Sequence, residues 1–510
     1  MIQGRSSMRK QFLIFCFISV PLILGLGLIS KYFIWSFIII GPLIILGLID
    51  FFQRKSTIRR NYPLLGMGRY FMEDWRPKIY QYFVESDTDG TPISRIFRSI
   101  VYQRSKNELD TVPFGTQVDV NATGYEWIGH SMYPLTKEEV NHDDLYVKVG
   151  EKRCKKPYNL SLFNISAMSF GALSDVAVES LNKGAKVGGF AHNTGEGGLS
   201  PYHLKHGGDL IWQIGTGYFG CRTADGHFDE ERFKENASHD SVKMIEIKLS
   251  QGAKPGKGGI LPGIKNTPEI AAIRGVGPWK TIFSPPSHSS FNSPETLLEF
   301  IAKLRELSGG KPVGIKFCMG HRKDFEELCQ SMQRTGMLPD FISCDGGEGG
   351  TGAAPLEFCT SIGMSKRDGL LLTADYLNKY NLKGKIKLIS AGKIFTGFQL
   401  IKTLAIGADA CYSARGMMLS LGCIQSLLCN KNTCPTGITT QDPWLKAGLV
   451  VEEKYQRVAN YHHATIRSVV EILAACRLRS PKELDRSRIW RRVGVATIKN
   501  YEELFPSRPR

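Results

Sequence analysis

The sequence predicts an α/β fold, a (β/α)8 TIM barrel preceded by an N-terminal two-helix transmembrane hairpin. Eight short apolar runs between about 158 and 418 indicate the barrel. Each ends in a polar or glycine-rich turn, and amphipathic stretches follow several of them. Two uncharged apolar runs within the first fifty residues indicate the hairpin. On this reading residues 1–50 are the hairpin and 51–150 a juxtamembrane segment and N-terminal layer. Residues 151–445 form the barrel with a cysteine loop, and 446–510 a C-terminal helical extension.

The hairpin comes first. Phe12 to Ser30 carries no charge, Lys31 and Tyr32 interrupt, and Phe33 to Ile49 is apolar again. Each run approaches the length that spans a bilayer as a helix. Arg5, Arg9 and Lys10 precede the pair, and Arg54, Lys55, Arg59 and Arg60 follow it, so both ends are expected in the cytoplasm together with the catalytic body. A cleaved signal peptide followed by a buried helix is the alternative. Neither apolar run contains an ionisable residue that would serve a proton path.

The body has the composition of a globular enzyme. The chain has 510 residues, 42% hydrophobic and 22% charged, enough for one large domain with attachments. Its 53 glycines fall in clusters between apolar runs, as catalytic loops on a rigid scaffold do. The net charge of +17 is compatible with an anionic membrane surface or acidic substrates, and no nucleic-acid motif accompanies it. Twelve cysteines in so long a chain point to a reducing compartment, with thiols used for packing or metal.

The expected strands lie in NLSLFNISAMSFGALS, VGGFAHNTGEGG, MIEIKLSQGAKPGKGG, KTIFSPPSHSS, PVGIKFCMGH, DFISCDGGEGGTG, IKLISAGKIFTG and DACYSARGMM. The stretch SPETLLEFIAKLRELSGG has a Ser cap and a Gly-Gly stop, as a barrel helix should. An open doubly wound sheet is the alternative; it should carry a G-x-G-x-x-G fingerprint after an early strand, and none is expected here.

Chemistry in a barrel gathers at the C-terminal strand ends. ISAGKIFTG and SARG, near strands seven and eight, suit a phosphate site in which Lys393 and Arg415 add charge; a pair of ordinary tight turns is the alternative. Asp345 to Gly352 reads DGGEGGTG, which can lay bare backbone against a flat ligand. Lys254 in QGAKPGKGG can reach into the mouth and pair with an anion, or stand solvated at the surface. Arg274 has the same two readings. Glu196 in TGEGG is an acceptor for an amine or part of a turn. Cys423, Cys429 and Cys434, spaced C-x5-C-x4-C, read either as iron–sulfur ligands or as buried free thiols.

The long strings IEIKLSQGAKPGKGGILPGIKNTPEIAAIRG, DGGEGGTGAAP and GCIQSLLCNKNTCPTGITTQDP together resemble the flavin-binding synthase domain of glutamate synthases, over roughly 155 to 445. The likeness is nearest to the shorter family members that contain this domain alone. The resemblance implies FMN in the barrel and a 3Fe–4S cluster held by Cys423, Cys429 and Cys434. It implies reductive amination of 2-oxoglutarate with ammonia, through 2-iminoglutarate, to glutamate. Carried over residue by residue, it places substrate binding and catalysis on Gln251, Lys254 and Glu196, with Arg274 on a substrate carboxylate. It places FMN contacts on Ala167, Met168, Ser169, Lys316, Asp345, Gly346, Gly347, Gly349, Gly350, Gly392, Lys393 and Arg415. Lys316 is expected near the isoalloxazine, where it would stabilise the reduced anion.

Three departures shape the expectation. The large enzymes begin with a glutaminase domain whose nucleophile is an N-terminal cysteine, whereas Met1-Ile2-Gln3 leads here into the hairpin. Ammonia is therefore expected free or from a separate amidotransferase subunit. Only about 65 residues follow 445, so the family's β-helix domain is expected to be absent. No nicotinamide site is expected, so electrons would come from a ferredoxin or a flavoprotein. TGYFG at Thr216 to Gly220 stands where the large enzymes have SGRFG, so Tyr218 marks a point at which the substrate could change to another 2-oxo or 2-amino acid. An electron-transfer subunit without turnover is the remaining alternative.

Overall fold

In the computed structural model, which describes residues 8–506, the chain divides into two units, one ending at Thr91 and one beginning at Pro92.

The first unit is built on two long apolar helices, α1 (Met8–Ile29) and α2 (Phe37–Phe52), joined by a 3-10 turn over Lys31–Ser36. With that turn each apolar segment is 22 residues long, enough to cross a hydrocarbon core. Phe17, Leu28 and Ile39 are 76%, 92% and 69% exposed, so these helices do not bury their apolar surface in protein as a core helix would. They meet where Phe12 fills the space beside Gly47, at which a side chain would overlap its ring. Two details differ from expectation. Arg9 and Lys10 lie in the first turn of α1 rather than before it, and α2 runs past Ile49 to include Asp50. A span with an ionisable residue thus replaces the charge-free one, and the reason is local. Asp50 is buried and accepts hydrogen bonds from Arg59 Nε (2.6 Å) and the Leu64 backbone N–H (3.2 Å), closing the turn that leaves the hairpin. Arg5, counted among the flanking charges, lies outside the described residues. After a short helical turn over Thr57–Asn61 comes the helix α3 (Leu65–Ile79).

The second unit contains a closed eight-stranded parallel barrel. Its strands are β1 (Phe163–Ile165), β2 (His192–Asn193), β3 (Leu210–Ile214), β4 (Val242–Lys248), β5 (Val313–Cys318), β6 (Phe341–Asp345), β7 (Lys387–Ala391) and β8 (Ala410–Ser413). The ring closes where Cys411 of β8 sits opposite Phe163 of β1. Closure excludes the open doubly wound sheet. Seven expected runs supply barrel strands, but KTIFSPPSHSS does not. Its Ile282–Phe283 pairs antiparallel with Ile260–Leu261, outside the ring. The strand that takes its place is LIWQI, fully buried and bounded by Gly-Gly and Gly-Thr-Gly. The next residues, GTGYFG, have the letter spacing of a dinucleotide fingerprint. They open no helix: Gly215–Gly220 turns into the site, and the next helix starts only at Glu230.

A hairpin of Tyr146–Val149 and Tyr158–Ser161 plugs one end of the barrel. Its Val149 and Leu160 join Ile211, Met244, Phe341, Ile389 and Ala410 in one buried cluster. Arg153, in the turn of the hairpin, donates to Asp340, Pro339 O and Lys385 O, which come just before β6 and β7, so the plug is at the N-terminal end and the C-terminal end holds the mouth. On the outside, α4 (Asp175–Gly188) packs against the long α5 (Val451–Ala475). His462 of α5 stacks on Phe190 at 4.0 Å and bonds Ser161 Oγ through Nε2 at 3.0 Å. The C-terminal segment is not only helical. Ile489–Arg492 and Ile498–Asn500 form a three-stranded antiparallel sheet with Glu126–Ile128 from the N-terminal layer.

Candidate active site

At the barrel mouth β2 ends in a Gly195 turn that delivers Glu196. Its carboxylate lies between two glycines. A Cβ at Gly215 would come within 2.5 Å of Oε2, and one at Gly259 within 2.5 Å of Oε1. The glycines of GTG and KGG therefore make room for this carboxylate. On β4, alternation puts Met244, Glu246 and Lys248 on the inward face. Glu246 is locked by Asn193, Gln213 and Ser343. Lys248, the last strand residue, pairs with Glu196 at 2.8 Å. Burial works to raise the Glu196 pKa, but the charges of Lys248, Lys254 and Arg274 outweigh it and hold the carboxyl below its ordinary value.

Lys254 is buried, and its ammonium donates to the Ala353 carbonyl at 3.3 Å. Burial lowers its pKa to about 8 against the pull of Glu196. Arg274 ends the helix Pro268–Arg274 and donates to Phe170 O (3.1 Å) and Ser169 Oγ (3.4 Å), with its guanidinium 5.1 Å from the Phe219 ring. Its Nε is buried without a hydrogen-bond partner. Lys248 neutralises Glu196, so Lys254 and Arg274 are left as surplus positive charge facing the mouth.

Behind this group, His288 Nε2 donates to the Lys248 carbonyl at 2.9 Å, and burial lowers its pKa to about 4, so the ring is neutral. Tyr218 is fully buried, edge-on to His288 at 5.2 Å, and its hydroxyl accepts the Ser290 N–H at 3.1 Å. The Tyr218 that departs from SGRFG thus packs behind Lys248.

Beside this group lies a pocket. Ala167, Lys316, Asp345, Gly349, Gly350, Gly392, Lys393 and Arg415, which the resemblance assigns to FMN, line it together with Gln251, which the resemblance assigns to substrate. Met168, Ser169, Gly346 and Gly347 are not among its lining residues: Met168 is buried, Ser169 holds Arg274, and Gly346 and Gly347 anchor the loop base through Ala391 O and Met364 O. Lys316 pairs with Asp345 at 3.3 Å; burial lowers its pKa, but Asp345 and Glu246 outweigh that and raise it, so it stays charged. Arg415 donates to Glu348 O at 2.7 Å. The two loops touch backbone to backbone. Gly252 N–H donates to Asp345 Oδ2 at 3.1 Å, and any Cβ at Gly252 would overlap the Gly346 carbonyl oxygen. Three cations facing bare glycine backbone form a donor set that fits an anionic, planar cofactor such as a flavin phosphate.

Cys423, Cys429 and Cys434 lie on one loop beside Lys265, whose Nζ donates to Ala172 O (2.5 Å) and Cys429 O (3.3 Å). Burial lowers the Lys265 pKa to about 8, opposed by the Cys429 and Cys434 sulfurs. Cys423 feels the other two thiols after burial, and its sulfur accepts the Gln425 N–H at 3.5 Å. The three thiols therefore share one electrostatic neighbourhood with a cation, a donor set chemically suited to iron–sulfur ligation. Among the described residues no three Cys, His, Asp or Glu side chains are already gathered as a metal-holding group. Gly352 of the glycine-rich loop abuts this loop, its Cβ position 3.1 Å from Cys429 Cβ.

Sequence reasoning missed Lys248 and His288. The signal for Lys248 was its parity in β4, which it shares with Met244 and Glu246 on the inward face. His288 gave no local signal, because the irregular loop after Phe283 positions it.

A family model described as a conserved region in glutamate synthase matches residues 128–479. A glutamate synthase large subunit-like protein YerD of Bacillus subtilis is 38% identical over 491 residues, covering 89% of this chain and 93% of that one. An archaeal glutamate synthase (NADPH) of Methanocaldococcus jannaschii is 32% identical over 360 residues, 70% of this chain and 67% of that one. A solved mutant flavocytochrome b2 with benzoylformate overlaps 82% of this chain and 85% of its own at a TM-score of 0.45 and 12% identity.

Proposed function

The chain belongs to the glutamate synthase family of oxidoreductases, and from that premise we propose that it catalyses the reductive amination of 2-oxoglutarate to glutamate through 2-iminoglutarate. The observation that carries the reading is the convergence of Lys254 and Arg274 beside the neutralised Glu196–Lys248 pair, next to the cationic pocket. A dicarboxylate dianion matches that surplus of two positive charges. Arg274 has an unpartnered Nε for one carboxylate, and Lys254 offers its ammonium to the other. Gln251, in the pocket lining and at the start of the turn that carries Lys254, would orient the 2-oxo group. Glu196 accepts a hydrogen bond from the incoming nitrogen. As the C–N bond forms, Glu196 takes the proton that the nitrogen loses and returns it to the leaving hydroxyl, so that water departs and the imine is left. Reduction of the imine to the amine then needs two electrons and two protons, one ending on carbon and one on nitrogen.

FMN would be held by Ala167, Lys316, Asp345, Gly349, Gly350, Gly392, Lys393 and Arg415, with Met168, Ser169, Gly346 and Gly347 behind, and it supplies the hydride-transfer chemistry when bound. Cys423, Cys429 and Cys434 would hold a 3Fe–4S cluster, which supplies one-electron transfer from a ferredoxin or flavoprotein donor. Ammonia would be free or supplied by an amidotransferase subunit. α1 and α2 would tether the enzyme to the membrane, with the catalytic unit on the cytoplasmic side. A second reading keeps the cofactors and changes the 2-oxo acid; the replacement of SGRFG by TGYFG, with Tyr218 packed behind Lys248, favours it.

The test is an anaerobic half-reaction. Detergent-solubilised, cofactor-loaded protein is pre-reduced, and flavin reoxidation is followed after adding 2-oxoglutarate and ammonium. Reoxidation that requires both, with labelled nitrogen in glutamate, supports the reading. A reduced flavin that ignores the pair but reoxidises with another 2-oxo acid replaces it with the second.

A further inference from the structure

α3 lies outside everything assigned so far. Phe71, Trp75 and Ile79 recur at four-residue spacing, with Met72 beside them, so they form one stripe along the helix. The stripe is solvent-facing: the four residues are 53%, 47%, 40% and 61% exposed. Tyr82 and Phe83, in the helical turn that follows, extend it and are 57% and 84% exposed. Across the helix from the stripe Arg69 pairs with Glu73 at 3.5 Å, with Arg76 beside them, and along the stripe's edge Lys78 pairs with Asp74 at 2.9 Å, where the long lysine stem can lie on apolar surface with its ammonium in water. A helix with an aromatic stripe and a charged back has the composition of an interfacial helix rather than of a span or a core element.

Position supports the same conclusion. Asp50, at the end of α2, holds the Leu64 N–H, and Leu64 is the residue before α3. A Cβ at Gly66, in the first turn of α3, would lie 2.7 Å from Arg59 Cα. The start of α3 is therefore fixed at the level where the apolar hairpin ends, beside the basic residues Arg54, Lys55, Arg59 and Arg60. That level is the headgroup region if α1 and α2 span.

We propose that α3 lies along the cytoplasmic membrane surface, with Phe71, Trp75 and Ile79 in the acyl-chain boundary and its basic neighbours on anionic lipid headgroups. This rests on the reading of α1 and α2 as spans. The occupant of the stripe is lipid, since the basic turn is complementary to an anionic bilayer and the stripe continues from the hairpin.

The experiment uses the full chain in vesicles of phosphatidylcholine and phosphatidylglycerol. Phe71→p-benzoylphenylalanine reports the stripe, Glu73→p-benzoylphenylalanine the charged back, and Leu22→p-benzoylphenylalanine the span. Each is irradiated, and adducts to lipid and to protein are separated by mass. The expected result is lipid adduct at Leu22 and Phe71, with several-fold less at Glu73, and more Phe71 adduct as phosphatidylglycerol rises. Lipid adduct at Leu22 with protein adduct, or none, at Phe71 overturns the surface helix and leaves the spans standing. Absence of lipid adduct at Leu22 overturns the spans, and the proposal falls with them.

Discussion

The Lys248 ammonium stands 2.8 Å from Glu196, and both side chains are largely withdrawn from water. Removing one member of such a pair strands the other. Lys248→Met should lower unfolding stability by about 3–5 kcal/mol and weaken 2-oxoglutarate binding. Adding Glu196→Gln should recover much of the stability, because the lone charge is gone. Urea unfolding of the two single variants and the double variant checks this, and simple additivity would break the assigned coupling.

Lys254 gives a pH signature. Burial holds its pKa near 8, below the ordinary lysine value, so the ammonium is lost as pH rises through about 8. Affinity for an anionic 2-oxo acid should therefore fall across that range. The stability effect has the opposite sign: between about 8 and 10.5 the unfolded chain holds a proton that the folded chain has released, so folding stability rises with pH there. Titrating the Kd for 2-oxoglutarate against pH in the wild type and in Lys254→Gln separates the two. A pH profile unchanged by the substitution would remove Lys254 from the binding group.

Gly252→Ala pushes a methyl into the Gly346 carbonyl and must separate the two loops. The cost of such overpacking is on the order of 1–3 kcal/mol. Flavin content should drop sharply while the barrel stays folded by circular dichroism. Full flavin occupancy in the purified variant would show that the loops part without consequence.

Much of this site was legible beforehand because its residues sit in contiguous strings. QGAKPG and DGGEGG each follow a strand, so the barrel expectation brought both loops toward the mouth; it left Lys254 open between mouth and surface, and the family resemblance alone made it a substrate ligand. LIWQI was missed as a strand because four apolar residues and one glutamine between glycine turns carry no period that separates strand from buried helix. KTIFSPP was taken for a strand on its β-branched residues, although only two residues pair and the prolines stop the rest. Lys248 was hidden by its neighbours, since only the register of β4 shows that it faces inward. His288 depends on an irregular loop that no periodicity describes.

Cys429→Ser should abolish the iron signal and leave flavin bound, since Cys429 is not among the residues that line the flavin pocket. Iron content and electron paramagnetic resonance on anaerobically purified protein check it. An intact cluster signal would take Cys429 out of the ligand set.

His462 predicts the acid limb of stability. It is buried and neutral, its pKa lowered to about 3 by burial first and by His463 next. As pH falls from 6.5 toward 3, the unfolded chain gains a proton that the folded ring refuses, so stability is lost across that window. His462→Phe preserves the stack on Phe190 and removes this titration, so its unfolding free energy should fall less steeply with acid. Equal slopes for the two proteins would place the titration elsewhere.

The plug formed by Tyr146–Val149 and Tyr158–Ser161 gives the barrel a dead end. Under the proposed reaction the amino acid would have to leave by the opening through which the next 2-oxo acid arrives, so the two would compete for one doorway at the C-terminal rim.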